Sequence, residues 1–123
     1  MNSEEYETIL KNNFPVFAKL VQEQGWNIKK AKYYPEAFGD AYVVLESKDF
    51  NIRIGSDKSQ VFIYVGKPGV LEWRDKWYNI TKLLRPTIKK KVNIFLENEL
   101  VVLMRDHLNE IPILLNKDEV SGQ

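Results

Sequence analysis

Few side chains in this sequence could carry out covalent chemistry, and their spacing argues against it. The single histidine, His107, follows Asp106 on a helical pattern, where adjacent residues point apart. No serine stands in a glycine-bounded elbow. A capping or solvated histidine is therefore expected, not a relay. There are no cysteines, which excludes disulfides, thiolate metal sites and cysteine nucleophiles. The remaining metal-ligand types are carboxylates, but Asp40, Glu46, Asp49 and Asp57 lack a calcium-loop spacing. They fall where turns are expected, and aspartate is common in turns because its side chain bonds nearby backbone. Glu46 and Asp49, facing each other across a tight hairpin, come nearest to a paired-carboxylate site. Gly66-Lys67-Pro68-Gly69 carries a lysine, but its proline has no amide proton to offer a phosphate, so a turn is expected. No enzyme, metal or cofactor is expected from these residues.

Recognition chemistry is better represented. Tyr42, Phe62 and Tyr64 alternate onto the same side of a sheet as Arg53, with Lys29, Lys30 and Lys32 on the neighbouring strand. Aromatics for stacking beside cations for phosphates is how single-stranded nucleic acids are bound. The glycine-aromatic signature of the best-known RNA-binding sheet is missing, and that fold interleaves its helices between strands. Nucleic acid is accordingly the alternative partner. The leading expectation is a protein partner, because tryptophan, tyrosine and arginine dominate interface hot spots. Arg53, Tyr64, Trp73 and Trp77 are the candidate contact residues.

These residues depend on elements readable from periodicity. Ser3 with Glu4 and Glu5 behind it reads as a helix start with acids at the positive end of the dipole. Tyr6, Ile9, Leu10, Phe14, Phe17, Leu20 and Val21 follow at helical spacing, and Gly25 suits a left-handed cap. Pro15 removes one backbone bond and should split the helix near residues 12–13. Four strand-like runs come next, over residues 26–34, 41–47, 50–55 and 60–65. Their short connections require an antiparallel meander. Alternation gives one face to Val43, Leu45, Phe50, Ile52, Ile54, Val61, Ile63 and Val65, a seat for the first helix. The other face receives Tyr42, Val44, Asn51, Arg53, Phe62 and Tyr64, and either the C-terminal helix covers it through Phe95, Leu100 and Met104 or it is open. Asn79 should cap a short helix over residues 80–84. Residues 89–108 read as a longer helix, with a start nearer Asn93 favoured because Lys89, Lys90 and Lys91 oppose the dipole. Those lysines could also pair with Glu97 and Glu99. Pro112 should break or kink the helical pattern, with a last turn at residues 113–115 and a frayed tail over 117–123. The fold class expected is α+β in one domain, residues 1–123: an N-terminal amphipathic helix, a four-stranded antiparallel meander and C-terminal helices.

Charge is balanced overall but uneven along the chain. Residues 49–91 hold 10 basic and 4 acidic groups, whereas residues 92–123 hold 2 basic and 6 acidic. A hydrophobic content of 44% supports one core and sets the chain apart from disordered sequences. No run of about 18 apolar residues suggests a membrane span, and the acidic N-terminus does not read as a signal peptide. A cytoplasmic protein without membrane partners is expected.

A resemblance adds to this reading. Phe38-Gly39, Val43-x-Leu45-Glu46-Ser47, Phe50-x-Ile52-Arg53 and Asp57-x-x-Gln60-Val61-Phe62 are followed by a tryptophan-containing segment, Glu72-Trp73 or Trp77-Tyr78. This pattern resembles a set of small bacterial proteins of uncharacterised function, some of which look like the immunity components of bacterial toxin systems. It covers about residues 5–105 and consists of hydrophobic spacing with few diagnostic residues. It implies a cytoplasmic α+β protein without catalysis; the immunity components among these proteins bind and block a cognate toxin. It transfers no contact residues, because such surfaces vary with the toxin.

Overall fold

In the computed structural model, which describes residues 3–37, 39–70, 72, 74–88 and 96–121, Pro15 splits the N-terminal periodicity as its chemistry requires. Helix α1 (Ser3–Asn13) ends one residue before Phe14, and α2 (Pro15–Gln24) begins with the proline. There its missing amide costs nothing. Phe14 leaves helical geometry (φ −136°, ψ 63°), yet its amide bonds the Leu10 carbonyl and its carbonyl accepts from Ala18. The apolar stripe thus passes through the kink in phase. Gly25 closes α2 in the left-handed conformation, with φ 69° and its amide on the Val21 carbonyl.

Strands β1 (Asn27–Tyr34), β2 (Asp40–Glu46), β3 (Asn51–Asp57) and β4 (Gln60–Gly66) form the expected antiparallel meander. A short β5 (Tyr78–Asn79) adds a fifth strand to the expected four, pairing with Tyr64 and Val65 of β4. Register places Val43 against Ile54, Leu45 against Ile52, Ile52 against Val65 and Ile54 against Ile63. All of these point to one face and are fully buried.

The β3–β4 hairpin turns through Lys58 and Ser59, both at positive φ (51° and 73°), between the paired Asp57 and Gln60. A two-residue loop with both residues left-handed is the type I′ turn whose twist matches the strands. Neither residue is the asparagine or glycine that accepts this conformation cheaply. Ser59→Gly should therefore raise stability by about 1 kcal/mol. An unchanged or lower urea midpoint would show that the turn is unstrained.

The C-terminal third matches the expectations in part. Helix α3 (Ile80–Leu83) is capped by Asn79, whose Oδ1 accepts from the Thr81 amide at 3.0 Å. The expected helix over residues 89–108 is described only from Leu96 onward. Residues 89–95, including Phe95 and the three lysines, lie outside the described residues, and Leu96 is extended (φ −104°, ψ 127°). Helix α4 (Glu97–Asp106) starts with Glu97 and Glu99 in its first turn, where acids complement the dipole. Pro112 does not break the next helix. It sits in the first turn of α5 (Glu110–Ser121), where a missing amide is tolerated. The helix then continues into the stretch expected to fray.

Leu100, Val101, Leu103 and Met104 of α4 and Ile111 and Leu115 of α5 join Phe14, Phe17 and Leu20 and the first sheet face in one buried cluster. Helix α4 packs on α2 and β4, and α1 packs on β1 and β2. The described helices therefore form one layer on one side of the sheet.

Helix α2 obtains its N-terminal cap from across this layer. Phe14 offers no side-chain cap; instead Glu97 Oε2 accepts the Phe17 amide at 2.9 Å and also serves Val16. Partial burial pushes the Glu97 carboxyl above its ordinary range, and the amide hydrogen bonds offset this only in part. A raised folded-state pKa favours the neutral form, so the stabilisation from a neutral Glu97 is lost as pH rises from the ordinary carboxylate range through the raised value. Glu97→Gln keeps an acceptor and removes the titration. Its stability relative to the parent should rise with pH across that window. Glu97→Ala leaves the amides without their acceptor and should cost about 1 kcal/mol. A difference between parent and Gln variant that stays flat as pH rises from the ordinary carboxylate range would refute the shifted carboxyl.

Candidate functional site

The second sheet face is built by alternation, with one irregularity. In β1 the register slips between Ile28 and Lys30. Ile28 opposes Leu45 on the core face, while Lys30 opposes Val44 and Lys32 opposes Tyr42 on the other. The extra residue, Lys29, acts as a β-bulge and reverses the strand's phase. Lys30, Lys32 and Tyr34 are thereby aimed at the side that β2, β3 and β4 furnish with Tyr42, Val44, Arg53, Phe62 and Tyr64.

One end of this face is covered. Val70 and Lys76, from the connection between β4 and β5, lie over it as a strap, and Asn51 Nδ2 donates to the Val70 carbonyl at 2.8 Å. Asn51 is fully buried, and its Oδ1 has no partner among the described residues. Gly66, paired with Asn51, makes the crossing possible. A Cβ there would lie 3.0 Å from Val70 Cγ1 and 3.2 Å from the Lys76 carbonyl oxygen.

The other end is a cleft of about 560 Å³ lined by Tyr34, Asp40, Tyr42, Arg53, Phe62 and Tyr64 among others. The Arg53 guanidinium lies 4.4 Å from the centroid of the Tyr42 ring, and Lys30 Nζ is 5.9 Å from the same ring. Lys32 Nζ lies 5.2 Å from the Tyr34 ring. The rings of Tyr34 and Tyr42 are 6.3 Å apart and tilted by 36°. Such cation–π contacts contribute about 0.5–1 kcal/mol each at exposed sites, and they hold the long side chains in place. Burial lowers the Arg53 pKa, while Tyr42, Tyr34 and Tyr64 act in the opposite direction. An arginine stays charged through such a shift. Val44, beneath Lys30 and Arg53, is only 2% exposed.

Of the four candidate contact residues, Arg53 and Tyr64 are direct cross-strand partners on this open end. Trp77 reaches the same neighbourhood from another side. Tyr64 also lines a second groove, of about 590 Å³, with Trp77, Tyr78, Lys82 and Leu83. The Trp77 indole N–H donates to the Glu72 carbonyl at 2.9 Å, which fixes the ring at the groove. Trp73 lies outside the described residues, as does Phe38. Sequence reasoning missed Tyr34 as part of the site; its aromatic type was visible, but its face depended on the bulge.

The residues with any potential for catalysis are dispersed. His107 caps the end of α4, its Nδ1 2.8 Å from the Leu103 carbonyl. A carbonyl only accepts, so Nδ1 carries the proton. Asp40 Oδ1 accepts the Lys58 amide at 2.9 Å, tying two turns together. Glu46 and Asp49 line an open cleft with Trp26 and Asn109. No group of three or more metal-ligating side chains occurs among the described residues, and no helix among them is long and apolar enough to cross a membrane. Comparison of the chain with protein-family models, curated proteins and solved structures finds no match to any of them.

Proposed function

We propose that this chain is a non-enzymatic, cytoplasmic protein-binding module that engages its partner through the open end of the second sheet face, in the manner of an inhibitor that sequesters a toxin. The observation that supports this most is the juxtaposition of Arg53 and Tyr64 as cross-strand neighbours in a cleft that no described helix covers. A half-buried arginine set among tyrosines, with Trp77 in the adjoining groove, has the composition of an interface hot spot. Rigid aromatics lose little conformational freedom on binding, so the face is preorganised. Single-stranded nucleic acid is the second reading, favoured by Lys30 and Lys32 beside the tyrosines.

Affinity capture with the intact chain tests both readings, beginning with any toxin domain encoded beside its gene. The Arg53→Ala/Tyr64→Ala variant should bind the captured protein at least about 30-fold more weakly. Lys11→Ala, on α1 in the opposite layer, should bind as the parent does. Equal retention by the face variant would refute the site. Tighter, salt-sensitive binding to an oligonucleotide than to any protein would promote the second reading.

A further inference from the structure

The arrangement of the open face also bears on the chemistry of its partner, and this inference rests on the protein-binding function proposed for it. Two of the aromatic rings, Tyr34 and Tyr42, are not bare platforms. Tyr42 has Arg53 and Lys30 against it, and Tyr34 has Lys32. A nucleobase stacking on either ring would compete with a cation that the ring already holds. With these two rings engaged by cations, this part of the face presents charge and hydrogen-bond donors to a partner: the Arg53 guanidinium, two ammonium groups and the phenol hydroxyls. Lys30 and Arg53 thus meet over Tyr42 in the middle of the face, and Lys32 lies over Tyr34 beside it. The carboxylates of the face sit at the ends: Asp40 and Asp57 at one, Glu46, paired with Asn51, towards the strap.

We propose that the open face recognises an acidic polypeptide segment, with a partner carboxylate meeting Arg53 at the centre of the cleft and further acids reaching Lys30 and Lys32. The planar guanidinium matches a carboxylate in a bidentate pair, and partial exclusion of water strengthens that pair. Acids at the ends of the face disfavour acids at the corresponding ends of the segment, so charge placement sets the docking register. The tyrosines keep the cations oriented and supply apolar contact around them.

The test uses the intact chain and a fluorescent peptide alternating glutamate with valine, followed by anisotropy at low and raised salt. Saturable binding is expected, weakening as salt rises. The same peptide with glutamine for glutamate should bind at least about tenfold more weakly. Arg53→Met, which keeps an apolar stem over Tyr42, should lose a similar factor, and Lys30→Ala/Lys32→Ala should lose less. Circular dichroism checks that each variant is folded, and the lysine variant keeps the test open should Arg53→Met fail. Equal affinity for the glutamate and glutamine peptides would overturn the proposal. So would tighter binding of an oligothymidine that is lost in Arg53→Met, or concentration-dependent self-association by sedimentation that the glutamate peptide does not reverse. If a captured protein partner is lost in the Arg53→Ala/Tyr64→Ala variant while the glutamate peptide fails to bind, the interaction face stands and only its acidic specificity falls.

Discussion

Replacing Phe17 by alanine should lower the free energy of unfolding by about 3–5 kcal/mol. Phe17 is fully buried in α2, the helix that lies against both α1 and α4. Its ring centroid is 6.1 Å from that of Trp26, which in turn stands 6.0 Å from Phe50 at the sheet. Truncation removes the transfer energy of the ring and leaves a cavity between helix and sheet that backbone shifts can only partly close. A loss of this size is a large share of the roughly 5–15 kcal/mol that holds a small domain together. Urea unfolding should show a lower midpoint with an unchanged slope, and the emission of Trp26 should change in the native state. Lys19→Ala, exposed on the same helix, serves as the control and should stay within about 0.5 kcal/mol of the parent. A Phe17→Ala loss below about 1 kcal/mol would be incompatible with the single helical layer, because a half-open core site would be needed to explain it.

Gly66→Val should be the next most damaging change, and for a different reason. Gly66 has an ordinary φ, so the cost comes from contact and not from backbone conformation. Its absent Cβ points into the crossing strap, where one neighbour is the Lys76 backbone carbonyl and cannot rotate away. Overpacking of this kind costs about 1–3 kcal/mol. If the strap lifts to relieve it, Asn51 loses the Val70 carbonyl as well, at about 1–3 kcal/mol for a buried polar group left unpaired. Gly55→Ala is the informative contrast. Its added Cβ would meet the Ala41 carbonyl oxygen at 3.6 Å and Tyr42 Cβ at 3.7 Å, which is normal contact. Thermal unfolding should separate the two variants by at least several degrees. Hydrogen exchange at residues 67–70 should accelerate in Gly66→Val alone; slow exchange there with parental stability would mean that the strap does not press on the sheet.

Local chemistry made much of this fold legible in advance. Pro15 splits the first helix because a missing amide is tolerated only at a helix start, and Gly25 ends it because a left-handed cap is cheap for glycine. The meander could be read because hairpin connections are too short for anything but antiparallel pairing. Asn79 was legible as a cap because its side chain reaches an amide only two residues away. Where expectation and structure part, the deciding partner lies far along the chain or a residue has a second tolerated role. Glu97 was a candidate partner for the nearby lysines, but it caps α2 from 80 residues away. Pro112 looked like a breaker, yet in a first turn it is harmless.

The aromatic and basic residues of the site were likewise visible as types; their assembly was not. By itself the sequence determined an α+β chain with an aliphatic sheet face and a polar-aromatic one, because strand alternation is a local property of the backbone. Tertiary structure decided that α4 and α5 join the first helical layer instead of covering the second face, since their apolar stripes could in principle bury against either side. It also decided the bulge at Lys29, which turns Lys30, Lys32 and Tyr34 toward Arg53. A bulge depends on the partner strand and leaves no period of its own in the sequence. The proposed interaction face exists because of those two non-local choices.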